Sequence, residues 1–345
     1  MRLARISCLH RTRSPPVPEP IRRLGSKDFT RVLDLSPGEV LPLLDQARLL
    51  KSDYTPWRDT FRQRSIVLLF EKPSLRTRVS FEIGFARFGG TAVYLDHQNN
   101  PIGVRETVAD YGHNLERWCD CIVARVMKQS TIEVLASTAE IPVINALSDL
   151  HHPCQALADF MTLVEHGFDF HHDRLAWVGD GNNVCHSLIE MAATVGCGMT
   201  VVTPPGAEPD ASIVREAQAR ACRSGASIEI TNDPARVAGA FAVYTDAWTS
   251  MGQAESAARL KGFARYQVNA ALMATAGPKS LFMHCLPAHR GEEVTDQVID
   301  SANSIVFDQA ENRMHIQNAL LLNLLATPAT DPLARNARAS ARASE

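Results

Sequence analysis

From Thr30 to Lys51 the apolar residues Val32, Leu35, Val40, Leu43, Leu44, Ala47 and Leu50 mostly recur every three or four positions behind Ser36-Pro37-Gly38-Glu39. That spacing predicts a helix with a serine cap and a proline in its first turn, where no backbone donor is lost. The pattern then changes to short, nearly continuous apolar runs at residues 65–70, 91–95, 121–124, 141–145, 175–178, 199–203, 227–230, 242–245 and 281–284. Such runs suit strands buried on both faces of a parallel sheet. Helical spacing separates many of them, so the chain reads as α/β, with more strands than one modest sheet holds. Two doubly wound parallel-sheet domains linked by helices are expected.

Composition supports that division. At 345 residues the chain exceeds a usual domain of ~100–200 residues. Hydrophobic residues make up 45% and charged residues 21%, as in an ordinary globular protein. Lys+Arg (35) and Asp+Glu (38) nearly cancel to a net charge of -3, which argues against nucleic acid as a partner. No apolar run approaches the ~20 residues that span a bilayer, so no membrane association is expected. The eight cysteines include no C-x-x-C pair, and Cys119-Asp120-Cys121 reads best as two small buried residues. A reducing, cytoplasmic location fits. Six arginines fall in the first 23 residues, as in the charge of an organelle transit peptide, but the run Pro15-Pro16-Val17-Pro18 works against its amphipathic helix, so a disordered leader is expected at least as much as a transit sequence.

Ligands of doubly wound sheets bind at the carboxyl ends of the strands, so the loops after the apolar runs hold the candidate chemistry. After the first run comes Ser74-Leu75-Arg76-Thr77-Arg78. A helix starting near Ser74 would offer free N–H groups and a positive dipole end to an anion, and two hydroxyls and two guanidinium groups would suit phosphate. Alone, the segment reads equally well as an ordinary capped surface helix. His152 and Gln155, in His151-His152-Pro153-Cys154-Gln155, stand one turn apart and could polarise a carbonyl oxygen and hold an amide. A zinc site there fits poorly, because adjacent side chains diverge.

Gly179-Asp180-Gly181-Asn182-Asn183 has the place of a dinucleotide fingerprint, but Val184 stands where the third glycine belongs. What remains is a tight turn presenting an Asn amide. Thr245-Asp246-Ala247-Trp248-Thr249-Ser250-Met251-Gly252 offers an acid that could pair with a substrate amine or cap a helix. His284-Cys285-Leu286-Pro287 invites a cysteine-nucleophile reading, although sequence neighbours seldom form such a dyad.

Taken in this order, these segments resemble the ornithine carbamoyltransferases over residues 27–325. Ser-x-Arg-Thr-Arg and His-Pro-x-Gln are shared with the wider carbamoyltransferase family, aspartate-using enzymes included. Asp-x-x-x-Ser-Met-Gly and His-Cys-Leu-Pro resemble the ornithine branch. The resemblance implies a carbamoyl phosphate-binding domain (27–158), an ornithine-binding domain (159–318) and a C-terminal helix; composition adds an expected disordered leader (1–26) and a disordered tail within 319–345. Carbamoyl phosphate would be held by Ser74, Leu75, Arg76, Thr77, Arg125, His152, Gln155 and Arg313, with Cys285 and Leu286 beside its carbonyl carbon. Ornithine would be held by Asn183, Asp246, Ser250 and Met251, and Asp246, Cys285, Arg125 and His152 would act on the reacting atoms. No metal and no cofactor is implied, and the family is built as homotrimers with active sites at subunit interfaces. One position departs from the pattern: Pro101, which has no donor, stands where relatives often reach a neighbouring subunit with Gln or His.

Overall fold

Each of the nine apolar runs forms a strand. In the computed structural model, which describes residues 23–248, 261–327 and 330, they are β1 (Ser65–Phe70), β2 (Thr91–Asp96), β3 (Cys121–Arg125), β4 (Val143–Leu147), β5 (Arg174–Val178), β6 (Gly198–Val202), β7 (Ser227–Thr231), β8 (Ala242–Thr245) and β9 (Leu281–His284). Every pairing is parallel, in two sheets ordered β2-β1-β3-β4 and β7-β6-β5-β8-β9. Central strands β1, β3, β5 and β8 are buried almost throughout, whereas the edge strands β2 and β7 are partly exposed. The described residues thus form two α/β domains.

The described α-helices are α1 (Pro37–Ser52), α2 (Leu75–Arg87), α3 (Val108–Leu115), α4 (Gln129–Thr138), α5 (Pro153–Glu165), α6 (Asn183–Val195), α7 (Ala211–Ser224), α8 (Ala270–Ala276), α9 (Asp296–Ile299) and α10 (Val306–Leu325). The expected first helix is α1: Glu39 reaches back to accept from Ser36 N at 2.7 Å, satisfying a donor at its start. Helix α10 runs unbroken through residues 318 and 319, where a domain boundary had been expected. It follows the second sheet but returns to the first domain. There Ile316, Ala319 and Leu320 share one core with Leu44 of α1, Phe81 and Phe85 of α2, and Leu157 of α5. Burying each such large side chain contributes about 1.5–3 kcal/mol. The approach of α2 to α10 is close enough that a Cβ at Gly84 would come within 2.4 Å of Asn318 Oδ1.

The order of each sheet reverses once. In the first, β2 lies on one side of β1 and β3 on the other; in the second, β6 and β8 flank β5. A crevice opens at the carboxyl ends of strands where the order reverses. Among the described residues no helix is long and apolar enough to cross a membrane.

Candidate active site

The loop after β1 and the last residue of β3 border the first crevice. Ser74 caps α2, its Oγ accepting from Thr77 N at 3.3 Å, and Arg76 on this first turn lies close enough to Arg125 at the end of β3 for their charges to repel. Thr77 is fully buried and Arg76 half-buried. Leu75 sends its side chain outward, 77% exposed, so it can contribute only backbone atoms.

From α5 and α10 come the other members. Arg313 donates from Nη1 to Gln155 Oε1 at 2.7 Å and from Nη2 to Thr77 Oγ1 at 2.9 Å, with His152 Nε2 3.5 Å from Nη1. Arg125 and Arg313 are both buried, and the Nε atoms of both have no partner among the described residues. Burial, then the nearby charges of Arg313 and Arg76, pushes the Arg125 guanidinium down to about 9. Burial followed by Arg313, Arg125 and Arg76 holds His152 well below its ordinary range, so its imidazole is neutral. Three guanidinium groups converging where water is scarce repel one another, and a bound dianion would relieve that repulsion.

The second crevice supplies the opposite charge. Gly179 takes a φ of 135°, open to glycine but strained for other residues, and a Cβ at Gly181 would lie 2.2 Å from Pro209 N. This turn brings Asn182 to the start of α6, where its Oδ1 accepts from Val184 N (3.0 Å) and Cys185 N (3.1 Å). Its Nδ2 donates to Asp246 Oδ2 at 2.8 Å. The other Asp246 oxygen accepts from Cys285 Sγ at 3.1 Å. Burial and the neighbouring Asp246 raise the Cys285 thiol well above its ordinary range, which keeps it protonated. No imidazole is free to activate Cys285 as a nucleophile: its raised thiol donates to the Asp246 carboxylate, and both ring nitrogens of His284 are engaged by Glu293 and Leu286.

His284 is fully buried. Its Nδ1 accepts from Leu286 N at 2.8 Å, which leaves the ring proton on Nε2, 3.1 Å from Glu293 Oε1. Leu286 has a φ of 59°, and a cis bond joins it to Pro287. Its carbonyl accepts from Arg76, so the phosphate-side helix touches the loop after β9 across the domain junction. Asp246, His284 and Cys285 bring potential ligand atoms within 4.8 Å of one another, as do His289, Glu292 and Glu293. In the first group both His284 nitrogens are already committed.

Ser74, Arg76, Thr77, Arg125, His152, Gln155 and Arg313 therefore come together, and Asp246, Cys285 and Leu286 face them. Asn183 is turned away from Asp246, donating instead to Ser148 O at 2.6 Å. Ser250 and Met251 lie outside the described residues. Reading the sequence missed Asn182, Asp159, Gln309 and Glu293. Asp159 Oδ1 accepts from Gln155 Nε2 and Gln309 Nε2, each at 2.7 Å, and Gln309 Oε1 accepts from His284 N at 3.0 Å. The i,i+4 spacings Gln155/Asp159 and Gln309/Arg313 were the available signal, since residues so spaced share a helix face.

The chain resembles known proteins in both sequence and fold. Residues 27–165 match the family model of the aspartate/ornithine carbamoyltransferase carbamoyl-P binding domain, and residues 172–324 match that of its Asp/Orn binding domain. An ornithine carbamoyltransferase of Shewanella oneidensis is 52% identical over 86% of this chain and 99% of its own length. One from Pyrococcus abyssi is 46% identical over 88% of this chain and 96% of its own. The solved ornithine carbamoyltransferase of Pyrococcus furiosus superposes with a TM-score of 0.84 at 43% identity, covering 89% of this chain and 98% of that one. Sequence, fold and site agree that the chain belongs to the aspartate/ornithine carbamoyltransferase family.

Proposed function

We propose that the chain transfers the carbamoyl group of carbamoyl phosphate to the side-chain amine of L-ornithine, giving L-citrulline and phosphate. The observation that carries this reading is the facing of two unlike sites: Arg76, Arg125, Arg313 and Thr77 on one side, and the Asp246–Cys285 pair on the other. The first set suits a phosphate dianion. The second suits a substrate that brings an amino group.

In this mechanism the neutral δ-amine attacks the carbamoyl carbon, the carbonyl oxygen gains charge in a tetrahedral intermediate, and the carbonyl re-forms as the C–O bond to phosphate breaks, the proton of the attacking nitrogen passing to the departing phosphate. Thr77, Arg125 and neutral His152 donate to the developing oxyanion, while the guanidinium groups stabilise the departing phosphate. Holding both reactants in one crevice removes much of the entropic cost of their meeting. An ordinary amine of this type has a pKa of about 10.4, so its neutral form must be favoured locally. Desolvation in the closed crevice acts in that direction. Asp246 receives the α-amino group at the amino-acid end of ornithine, and the uncharged Cys285 thiol lies beside the side chain that carries the δ-amine.

The reading extends to arginine biosynthesis and a cytoplasmic location, consistent with cysteines that are all free among the described residues. It extends also to a homotrimer. Leu75, Val79 and Ile83 form an exposed apolar stripe one turn apart along α2, with exposed Val93 and Val104 on nearby segments. A second copy of the chain covering this stripe would place a neighbour beside the phosphate site. Pro101 is exposed, and Glu71 fixes its loop by accepting from Ile102 N and Met127 N at 2.9 and 2.7 Å. Any contact from this loop to a neighbour would thus fall to the exposed Gln98 or Asn100.

Incubation with carbamoyl phosphate and, in turn, ornithine, acetylornithine, putrescine and aspartate tests the assignment. Citrulline formation with ornithine far above any other product is expected. Preferred carbamoylation of another amine would overturn the acceptor, and no product at all would make the chain a silent binding member.

A further inference from the structure

Asn182, Asp246 and Cys285 follow β5, β8 and β9, which are consecutive neighbours in the second sheet. Their side chains therefore stand in a row along its carboxyl edge. We propose that Asn182 is a positioning residue for ornithine, its side-chain amide tying the cap of α6 to Asp246 and thereby aiming the carboxylate at the substrate's amino group. This rests on the reading of Asp246 as the acid that receives that group.

The cap fixes which end of the amide is which. Oδ1 accepts from two backbone N–H groups of the first turn, so Nδ2 alone can face Asp246. Flipping the amide would abandon both cap bonds and set oxygen against oxygen. Asp246 is thus held at each oxygen, by Nδ2 on one and by the Cys285 thiol on the other, and it keeps only those lone pairs that point into the crevice. Other groups facing it electrostatically are Arg76 and Tyr244. The choice of an amide has a chemical reason. A lysine or arginine at this place would neutralise the carboxylate and compete with the substrate amine, whereas an amide orients the charge without cancelling it. The adjacent Asn183, with its amide on Ser148 O, performs no such task in this arrangement.

Asn182→Ser and Asn182→Asp separate aiming from capping. Ser and Asp cap helices about as well as Asn; the serine hydroxyl is too short to reach Asp246, and the aspartate replaces a donor with a like charge. Steady-state kinetics with each substrate varied, together with thermal midpoints, should be measured beside Asp246→Asn. Losing one hydrogen bond to a charged group should raise the ornithine KM about tenfold in both Asn182 variants. The carbamoyl phosphate KM should stay near that of the parent in both variants, and the thermal midpoint should stay near it in Asn182→Ser. Asn182→Asp should also recover relative to the parent as pH falls, because a close carboxylate pair takes up one proton and so remakes a hydrogen bond. An unchanged ornithine KM in Asn182→Ser, with a raised one in Asp246→Asn, would reduce Asn182 to a cap and overturn the proposal. Equal rises in both KM values with a lowered midpoint would overturn it as well. An unchanged ornithine KM in Asp246→Asn would remove the reading of Asp246 itself, and the role of Asn182 with it. Should Asn182→Asp fail to fold, Asn182→Ser decides.

Discussion

Asp159 touches neither side of the crevice, yet it joins them: Gln155 on the phosphate side and Gln309 beneath His284 both donate to its Oδ1. Burial pushes its carboxyl from 3.8 up to about 7, against the opposing hydrogen bonds of Gln155 and Gln309. Between those two values the folded protein holds a proton that the unfolded chain has released, so rising pH favours unfolding through that window and the loss is complete above it. Asp159→Asn keeps an oxygen acceptor and cannot titrate. Its thermal midpoint should therefore gain on that of the parent as pH rises from about 4 to about 7, and parallel curves would refute the assignment. Cys285 makes a second case. Its raised thiol should react slowly with iodoacetamide near pH ~8 while exposed Cys222 is alkylated, as peptide mass spectrometry would read. Rapid labelling of Cys285 would reopen a nucleophilic role. At this scale the sequence was only partly legible. Residue types near one strand end pointed to the arginine-rich cluster that the fold assembles, but the partners of Asp159 lie as far as 150 residues away. Only the fold reveals them. Asn182 and Asn183 could not be told apart by type, although the preference of Asn for a helix cap was a usable sign.

Helix α2 bears the phosphate-side residues on its first turn and is anchored by its other end. Phe81 and Phe85 are fully buried against α10, and Gly84 lets the two helices approach. Phe81→Ala should cost about 3–5 kcal/mol in urea unfolding and should raise the carbamoyl phosphate KM more than that for ornithine, since the displaced helix carries Ser74 to Thr77. A loss of stability with equal effects on both substrates would show that the helix start does not depend on this anchor. Strands were the most legible elements, because burial on both faces leaves an almost unbroken apolar run. Their ends were less so. The run expected at 141–145 forms its strand at Val143–Leu147, since Pro142 has no N–H to give a ladder and pairing with β3 continues to Leu147. The long α10 was expected only as a C-terminal piece. Its first half is rich in buried polar residues: Gln309 and Arg313 serve the site, and Asn312 ties α10 to Lys51 of α1 and to Thr162 and Glu165 of α5.

At the scale of the molecule, two sheets each reverse their strand order once, and the two reversal points bring opposite chemistries together. The apolar, alternating pattern along the chain was enough to expect two such domains. It was silent on how they meet: α10 crosses back to the first domain, and Arg76 reaches the carbonyl of Leu286 in the loop after β9. The exposed stripe on α2 belongs to this scale too. Val79→Glu, placed in its middle, should shift the mass measured by light scattering after size-exclusion chromatography from that of the proposed trimer toward monomer, and an unchanged mass would move the interface elsewhere. The central claim is that the arginine cluster binds and activates carbamoyl phosphate for transfer to ornithine. Its most direct test is the steady-state rate of citrulline formation by Arg76→Ala, with each substrate varied. Loss of one charge-assisted contact should raise the carbamoyl phosphate KM by about tenfold or more and cripple turnover; near-normal kinetics for both substrates would contradict the account.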